Sequence, residues 1–275
     1  MFTILSIVNK PSIAEDYLLK SLGFQTEKHE LILIDNTSNK YSCAAKAFNE
    51  AKNQINGDYV IFIHQDVFLP NKEWLKTLSQ TISSLPQLGI AGVAGTKETF
   101  NHNKLVFSLK YYLLKIFGLK NYWFQKYVIE NVSYSKPKIL NVLPEVTPFR
   151  TQTVDEAVMV VPTKVFKLLQ FDEVLCDGWD LYGVDYSLSV NKLGLKTYTI
   201  PLPIFHFSEG KISADYRRIM QKLIIKHKYE HLINTTCGLI PTLKPLANLL
   251  FAGSVKYKDT SKMNFVKEIL GILKN

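Results

Sequence analysis

A run of strand-forming residues early in the chain ends at a polar triplet. Tyr59 to Ile63 is apolar without alternation and rich in β-branched and aromatic residues, which is typical of a strand covered on both faces in a mostly parallel sheet. His64, Gln65 and Asp66 follow directly. Because such sheets bind ligands beyond the carboxyl ends of their strands, we predict that this triplet faces a ligand. The alternative is that Asp66 only caps the next turn or helix and that His64 is a polar residue with its hydrogen bonds satisfied within the protein.

Strand and helix patterns alternate around this segment. Strand patterns cover residues 2–8, 30–34, 59–63 and 88–93, and helix patterns cover residues 13–22, 42–51 and 71–85. Ser42 is the expected cap of the second helix. The βαβαβα order implies a parallel sheet with right-handed crossovers, so the predicted class is α/β.

Glycine-rich nucleotide-binding loops are missing where they would be expected. Asn9 to Ser12, after the first strand, matches neither the dinucleotide fingerprint nor a P-loop. Asp35, at the end of the second strand, is instead a candidate to accept hydrogen bonds from a nucleobase or a ribose. The alternative for Asp35 is an Asx turn with the polar residues that follow.

Cysteine usage and hydropathy bear on the compartment. The three cysteines are odd in number and share no close spacing, so they indicate neither a disulfide framework nor a zinc site. A reducing, cytoplasmic compartment is predicted. No segment approaches the roughly 18 uninterrupted apolar residues of a membrane span, and residues 2–8 are too short for a signal peptide.

Positive charge is concentrated in two segments. Residues 101–150 carry eight Lys or Arg against two Glu, and residues 211–275 carry twelve against four acidic residues, whereas the rest of the chain is net negative. This distribution predicts an anionic partner such as a membrane surface or a lipid-linked diphosphate, unless the lysines only solubilise two helical segments. No nucleic acid is expected, because the basic segments contain no recognisable recognition module.

The two basic segments differ in pattern. Residues 216–231 have the pattern of a basic amphipathic helix, which would lie either on an anionic membrane or exposed against the rest of the chain. Residues 105–124 have no clean polar face, so a lid or a segment packed under the acceptor site is favoured over a membrane helix.

Several motifs, taken in order, resemble those of the family 2 glycosyltransferases with the GT-A fold. They are Asp35, Ala47-Phe48-Asn49, Gly57-Asp58-Tyr59, His64-Gln65-Asp66-Val67, residues 154–162, Phe171-Asp172-Glu173, residues 179–185 and Ile204-Phe205-His206. His-Gln-Asp would be a variant of the Asp-x-Asp motif of this family. The resemblance implies a GT-A-type, mostly parallel, Rossmann-like sheet flanked by helices, with a C-terminal helical extension.

The resemblance also implies a division of the chain. Residues 1–210 would form the catalytic domain, with a nucleotide-sugar half over about 1–100, a basic aromatic insert over about 101–150 and an acceptor half over about 151–210. Residues 211–275 would form the basic helical extension.

Site residues follow from the same resemblance. Asp66 and His206 would hold a divalent cation, Mn²⁺ or Mg²⁺, that stabilises the charge of the leaving diphosphate. The alternative for His206 is a histidine that is merely hydrogen-bonded. The implied substrate-binding residues are Val8, Asn9, Asp35, Asn36, Asn49, His64, Gln65, Asp155 and Trp179. His64 stands where the family has the first Asp of its motif.

Asp185 would be the general base that takes the proton of the acceptor hydroxyl. Val184 replaces the Glu that usually precedes this Asp in the family. Asp180 and Asp177 are competing candidates, and the alternative for Asp185 is a helix N-cap.

The predicted function is that of a metal-dependent, inverting, hexosyltransferase-type glycosyltransferase. It would move a sugar from a nucleotide-diphosphate donor to a glycan or lipid-linked acceptor, for surface polysaccharide or glycoconjugate synthesis, in the cytoplasm or at the inner face of the cell membrane. The alternative is a non-catalytic nucleotide-sugar or carbohydrate-binding relative, because the first Asp of the motif and the Glu before Asp185 are absent.

Overall fold

The computed structural model describes residues 1–97, 128–130, 132–208, 213–227 and 232–241. Its strands are β1 (Phe2–Val8), β2 (His29–Asp35), β3 (Tyr59–Ile63), β4 (Val67–Phe68), β5 (Leu88–Gly92), β6 (Ala94–Lys97), β7 (Val128–Glu130), β8 (Val132–Ser133), β9 (Phe149–Val154), β10 (Val158–Pro162), β11 (Lys196–Thr199), β12 (Ile204–His206), β13 (Leu232–Thr235) and β14 (Gly238–Pro241). Its α-helices are α1 (Pro11–Ala14), α2 (Lys20–Leu22), α3 (Ala44–Glu50), α4 (Trp74–Ser83), α5 (Thr163–Leu168), α6 (Tyr182–Lys192) and α7 (Ala214–Lys226). A π-helical turn, Glu15–Leu19, joins α1 to α2, and a 3₁₀ turn, Ala51–Gln54, follows α3.

Nine strands form the central sheet in the order β2-β1-β3-β10-β5-β11-β9-β6-β7. Six of them run in one direction, while β10, β9 and β7 run in the other. The predicted α/β class with a mostly parallel sheet is therefore confirmed. The antiparallel strand β10 lies between β3 and β5, so those two strands are not neighbours.

Two hydrophobic clusters pack on the two faces of this sheet. Along β3, Val60 and Phe62 belong to one cluster, while Ile61 and Ile63 belong to the other. Successive side chains of a strand point to opposite faces, and here both faces are apolar because both are covered. The doubly covered strand predicted from the sequence is confirmed.

A smaller sheet lies beyond the carboxyl end of β3. Its strands are ordered β4-β12-β8, and β12 pairs with β4 so that His206 stands opposite Val67. The backbone N–H of Phe207 donates to the carbonyl of Asp66 at 3.0 Å. This pairing brings the end of β12 to the triplet that follows β3.

The predicted helices exist, with corrected ends. The first begins at Pro11, where proline suits the first helical position because its missing N–H would have no partner there. The second begins at Ala44, and the predicted cap Ser42 is wrong. Cys43 is the capping residue without a side-chain hydrogen bond, and the N–H of Ala44 donates to the carbonyl of Gly178.

The basic amphipathic helix corresponds to α7. Ser213 caps it, since its hydroxyl accepts from the N–H of Tyr216 at 2.9 Å. Residues 228–231 of the predicted helix and the whole of residues 105–124 lie outside the described residues. None of the helices in the described ranges is both long enough and apolar enough to cross a bilayer.

Candidate active site

Three side chains converge beyond the carboxyl end of β3. Nδ1 of His64 lies 3.3 Å from Nε2 of His206, and the same Nε2 lies 3.2 Å from Oδ1 of Asp66. Asp66 is fixed from its other side, because the hydroxyl of Ser208 donates to Oδ2 at 2.7 Å. The sequence prediction placed Asp66 and His206 together, and the structure adds His64 to them.

The charge state of this group suits cation binding. Burial opposes ionisation of Asp66, but the hydrogen bond and charge of His206 outweigh it and hold the pKa of Asp66 well below its ordinary value. Burial and the neighbouring His206 lower the pKa of His64, so His64 is neutral at pH 7. An ionised carboxylate and a neutral imidazole are the forms that coordinate a metal.

The spacing of the three groups also fits a divalent cation. Ligand atoms at right angles around a small ion with bonds of about 2.1 Å lie roughly 3 Å apart, close to the two separations measured here. One atom each of His64, Asp66 and His206 lies within 4.8 Å of the others. Mixed nitrogen and oxygen ligands suit Mn²⁺ and also allow Mg²⁺.

A cavity of about 290 Å³ opens over His64 and Asp66. Its lining residues are Ile7, Asn9, Ala44, Phe48, Ile63, His64, Gln65, Asp66, Trp179, Tyr182 and Ser208. The lining comes from the ends of β1 and β3, from α3 and from the segment that leads into α6. The cavity thus joins the two halves predicted to hold the donor and the acceptor.

Gln65 fixes the loop after β1. Its Oε1 accepts from the backbone N–H groups of Asn9 and Lys10, and its Nε2 donates to the side chain of Asn9. Asn9 and Gln65 line the cavity, and their predicted contact with substrate stays a prediction. The polar atoms of Gln65 are already engaged, so its first effect is to shape the loop.

The end of β2 lies beside the end of β1, since Val8 pairs with Asp35. Oδ1 of Asp35 accepts from the N–H and the hydroxyl of Thr37, both at 2.8 Å, which forms the Asx turn considered from the sequence. These bonds lower the pKa of Asp35. Asp35 lines a second cavity of about 420 Å³ rather than the first. Asn36 is buried, and its side-chain amide binds the backbone of Tyr41. Its Nδ2 donates to the carbonyl of Tyr41, and its Oδ1 accepts from the N–H of Tyr41.

Asn49 is not brought into the cavity over His64. Its amide donates to the carbonyl of Phe171 and to Glu173, and its oxygen accepts from the N–H of Phe171. In this structure Asn49 ties α3 to the loop before α6, which is a structural role. Its predicted contact with substrate stays a prediction.

The segment that leads into α6 has a constrained backbone. Leu181, immediately before α6, has φ of +65°, which is unusual for a bulky non-glycine residue. The next residue, Tyr182, directs its hydroxyl to Nε2 of His64 at 3.2 Å. Trp179 is 43% exposed beside the cavity. A half-exposed indole is suited to pack against one face of a sugar ring.

Asp185, the predicted general base, lies apart from the cavity lining. It is 2% exposed, and its two oxygens are bound by Nζ of Lys226 at 2.8 Å and by Nε2 of His227 at 2.7 Å. It lies in the first turn of α6 rather than at the N-cap, which is Leu181. The competing candidate Asp177 is likewise paired, with Arg218 and Lys222.

Asp155 lies in the turn between β9 and β10. Its Oδ1 accepts from the N–H of Ala157 at 3.0 Å, and its Oδ2 accepts from the hydroxyl of Thr236 at 2.8 Å. Its negative charge partly offsets the lowering of the pKa of His64 by burial and by His206, although Asp155 does not line the cavity. Its predicted substrate contact stays a prediction.

Two residues of this region were not predicted from the sequence. Tyr182 lies within the matched segment 179–185, so its position alone could have suggested it. Ser208 follows His206 by two residues, and only the approach of β12 to β4 shows that it reaches Asp66.

Comparison with known proteins gives one family. A model described as "Glycosyltransferase like family" matches residues 4–206, about three quarters of the chain. A protein of Fuscovulum blasticum, "ATP synthase subunits region ORF 6", is 25% identical over 236 residues, which cover 83% of this chain and 84% of that protein.

Solved structures show a similar fold. The mannosyltransferase PcManGT from Pyrobaculum calidifontis, in complex with GDP-Man and Mn²⁺, is 13% identical, with a TM-score of 0.52 and coverage of 98% of this chain and 80% of that one. GalNAc-T7 with UDP, GalNAc and Mn²⁺ is 12% identical, with a TM-score of 0.51 and coverage of 80% and 47%. S. aureus TarS 1-349 is 14% identical, with a TM-score of 0.49 and coverage of 82% and 64%. The chain spans less than two thirds of the TarS and GalNAc-T7 chains. The predicted GT-A-type fold is confirmed.

Proposed function

Since this chain belongs to the glycosyltransferase-like family, we propose that it moves a sugar from a nucleoside-diphosphate donor to a glycan or lipid-linked acceptor. The observation that carries the proposal is the convergence of His64, Asp66 and His206 beside a cavity that His64 and Asp66 line. Surface polysaccharide or glycoconjugate synthesis is the process we expect it to serve.

A divalent cation at this group would neutralise the negative charge that develops on the leaving diphosphate. The residues that would hold it are Asp66 and His206, with His64 as the third ligand. Mn²⁺ is our first choice, because the donors are mixed and because PcManGT and GalNAc-T7, of similar fold, were solved with Mn²⁺. Tyr182 then keeps the imidazole of His64 in place through its hydroxyl.

The donor would lie along the ends of β1 and β3. Asn9, held by Gln65, lines the cavity at the end of β1, and Asp35 stands beside that strand end. With one carboxylate oxygen used by Thr37, the other oxygen of Asp35 is the one we expect to accept from the nucleobase or ribose.

The acceptor would enter over the wall formed by Trp179 and Tyr182. Both residues line the cavity together with the ends of β1 and β3. Attack on the anomeric carbon from the side opposite the leaving diphosphate would invert the configuration at that carbon, which is the outcome we propose.

An anionic membrane is a weaker partner than the sequence suggested. Arg218, Lys222 and Lys226 of α7 form ion pairs with Asp177, Asp172 and Asp185 of the same chain. These side chains are therefore directed at the body of the protein, which matches the alternative in which the helix packs against the rest of the chain.

Donor binding tests the proposal directly. Isothermal titration with UDP-glucose, UDP-N-acetylglucosamine and GDP-mannose, each with and without MnCl₂, is expected to show one donor that binds only with Mn²⁺. Asp66→Asn is expected to weaken that binding by at least about tenfold. Asp16→Asn is the matched control, because Asp16 is an exposed carboxylate in the turn after α1.

The outcomes separate an enzyme from a binding protein. The proposal is wrong if no donor binds in any condition, or if Asp66→Asn binds as tightly as the parent. A donor that binds with Mn²⁺ but is never consumed, with any glycan acceptor or with water, would favour the non-catalytic relative.

A further inference from the structure

Tyr182 lines the cavity and contacts one of the two ring nitrogens of His64. Its hydroxyl lies 3.2 Å from Nε2 of His64, although the two residues are 118 positions apart in the sequence. Nδ1 of the same ring lies 3.3 Å from Nε2 of His206. The two nitrogens of His64 therefore have different neighbours: Nε2 has a tyrosine hydroxyl, and Nδ1 has the candidate cation site.

The hydrogen positions in this site follow from what each group can donate. Asp66 is ionised and can only accept, so its 3.2 Å contact with Nε2 of His206 needs a hydrogen on that nitrogen. A second hydrogen does not fit between that nitrogen and Nδ1 of His64 at 3.3 Å. Nδ1 of His64 therefore carries a lone pair, and the one hydrogen of the neutral ring is on Nε2.

This assignment gives the contact with Tyr182 a direction. The N–H at Nε2 of His64 donates to the hydroxyl oxygen of Tyr182. Burial raises the pKa of Tyr182 well above its ordinary value, so the hydroxyl remains neutral. In the opposite direction, Tyr182 would donate to Nε2, the hydrogen of His64 would be on Nδ1, and His64 would offer no lone pair to a cation.

Both neighbours of Tyr182 in the sequence hold the backbone at this place. Leu181 has φ of +65°, a left-handed conformation that a bulky residue rarely adopts. The N–H of Gly183 donates to Oε1 of Glu156 at 3.1 Å. A Cβ on Gly183 would lie 2.8 Å from Sδ of the buried Met159, so glycine allows α6 to begin this close to β10.

The ring of Tyr182 is also held by packing. It is 2% exposed, and its centroid lies 6.1 Å from that of Phe48 and 5.6 Å from that of Phe171. A strained backbone that persists in a well-packed segment is common at functional sites. Here the segment holds a single hydroxyl against His64.

We propose that Tyr182 is a positioning residue that fixes the tautomer of His64, so that Nδ1 presents its lone pair to the cation site formed with Asp66 and His206. This inference deepens the proposed function and rests on it. A hydrogen bond at the far nitrogen of a metal-binding histidine sets the tautomer and the orientation of the ring. Tyr182 would thus keep His64 ready to bind a cation without a change in its protonation.

The tautomer is tested first in the metal-free protein. Protein labelled with nitrogen-15 in its histidines is studied by NMR at pH 8 in EDTA, and His64 is identified as the ring that is missing in His64→Gln. We expect its hydrogen to be on Nε2. We also expect the signal of this N–H to shift in Tyr182→Phe, because its acceptor is lost. A hydrogen on Nδ1 in the parent would overturn the inference.

Manganese affinity tests the consequence of this tautomer. MnCl₂ alone is titrated into each protein, and free Mn²⁺ is measured by electron paramagnetic resonance. Tyr182→Phe is expected to raise the Kd for Mn²⁺ by about 10- to 100-fold.

Tyr186→Phe is the matched control. Tyr186 lies on the same helix, is 1% exposed and donates its hydroxyl to the carbonyl of Leu169 at 2.8 Å. The control therefore loses a buried hydrogen bond of the same kind, but one that does not involve His64. It is expected to keep the Kd of the parent. Similar urea midpoints for the two variants would show that a difference in Kd does not come from unfolding.

The outcomes separate this inference from the proposed function. If the parent binds Mn²⁺ and a donor, and Tyr182→Phe binds Mn²⁺ as tightly, the inference is wrong and the proposed function stands. An equal loss of affinity in Tyr186→Phe would also overturn the inference, because the effect would then come from the packing of α6. A parent that binds neither Mn²⁺ nor any donor would remove the proposed function, and this inference with it.

Discussion

Replacing Lys226 by methionine should destabilise the protein far more than the same change elsewhere on α7. Nζ of Lys226 lies 2.8 Å from Oδ2 of Asp185, whose side chain is only 3% exposed. Methionine keeps the length and the apolar stem of lysine but removes the charge. Asp185 would then be a buried carboxylate with His227 as its remaining partner.

The expected cost follows from burial. Removing one partner of a buried ion pair costs about 3–5 kcal/mol, because the remaining charge stays out of water. His227 continues to bind Asp185, so we expect the lower end, about 3 kcal/mol. The second pair of Lys226, with Asp172, is one-third exposed on both sides and adds little.

Urea unfolding at pH 7 measures this cost. With a slope near 3 kcal/mol per M, a loss of about 3 kcal/mol lowers the midpoint by about 1 M at unchanged slope. Lys222→Met is the matched control on the same helix. Its partner Asp177 is 40% exposed and keeps Arg218, so its cost should stay below about 1 kcal/mol.

A double variant completes the test. Asp185→Asn combined with Lys226→Met removes both charges, and it should be more stable than Lys226→Met alone because no buried charge is left unpaired. Equal midpoints for Lys226→Met and Lys222→Met would refute the reasoning, since they would mean that Asp185 is solvated.

Three further predictions concern the site. His206→Ala should weaken Mn²⁺ binding at least about tenfold by isothermal titration with the metal and the donor, while the unfolding midpoint in EDTA changes little; unchanged affinity would remove His206 from the metal site. Trp179→Ala should raise the KM for the acceptor several-fold without changing the donor Kd, because the indole lies where the acceptor is expected to enter; a selective loss of donor affinity would contradict this. Glu156 has a folded-state pKa of about 8 against 4.5 for the free group, so the folded protein keeps a proton that the unfolded chain has released. Its contribution to the free energy of unfolding is full below pH 4.5 and falls by about 1.4 kcal/mol per pH unit between pH 5 and 8; urea titrations should show a shallower fall in Glu156→Gln, and an equal slope would show that Glu156 titrates normally.

Local patterns predicted four of the strands, β1, β2, β3 and β5, and the helices that follow β1, β2 and β3. The run Tyr59 to Ile63 is apolar at every position, and the structure shows both faces covered. The cap of α3 was wrong because its first N–H reaches the carbonyl of Gly178, a residue far along the chain. Such a partner leaves no local signal. Periodicity likewise showed the strands but not that β10 separates β3 from β5.

The candidate site was likewise predicted only in part from the sequence. Motif order placed Asp66 and His206 together, and the structure adds His64 to form a group of three. For Asp185, the sequence showed a carboxylate in a suitable motif. Asp185 is paired because α7 packs against α6 and brings Lys226 and His227 to its carboxylate. No sequence pattern around residue 185 indicates this packing.

The position of β10 has a consequence for synthesis. Until the ribosome has translated residue 162, the edges of β3 and β5 that pair with β10 have no strand beside them. About 70 residues separate the end of β5 from the end of β10, which at 5–20 residues per second is roughly 4–14 s. During that time the nascent chain carries two apolar strands with open edges, the kind of surface that pairs with other chains. Fragments that stop before β10 should therefore aggregate, and the nascent chain should depend on chaperones until β10 has been synthesised.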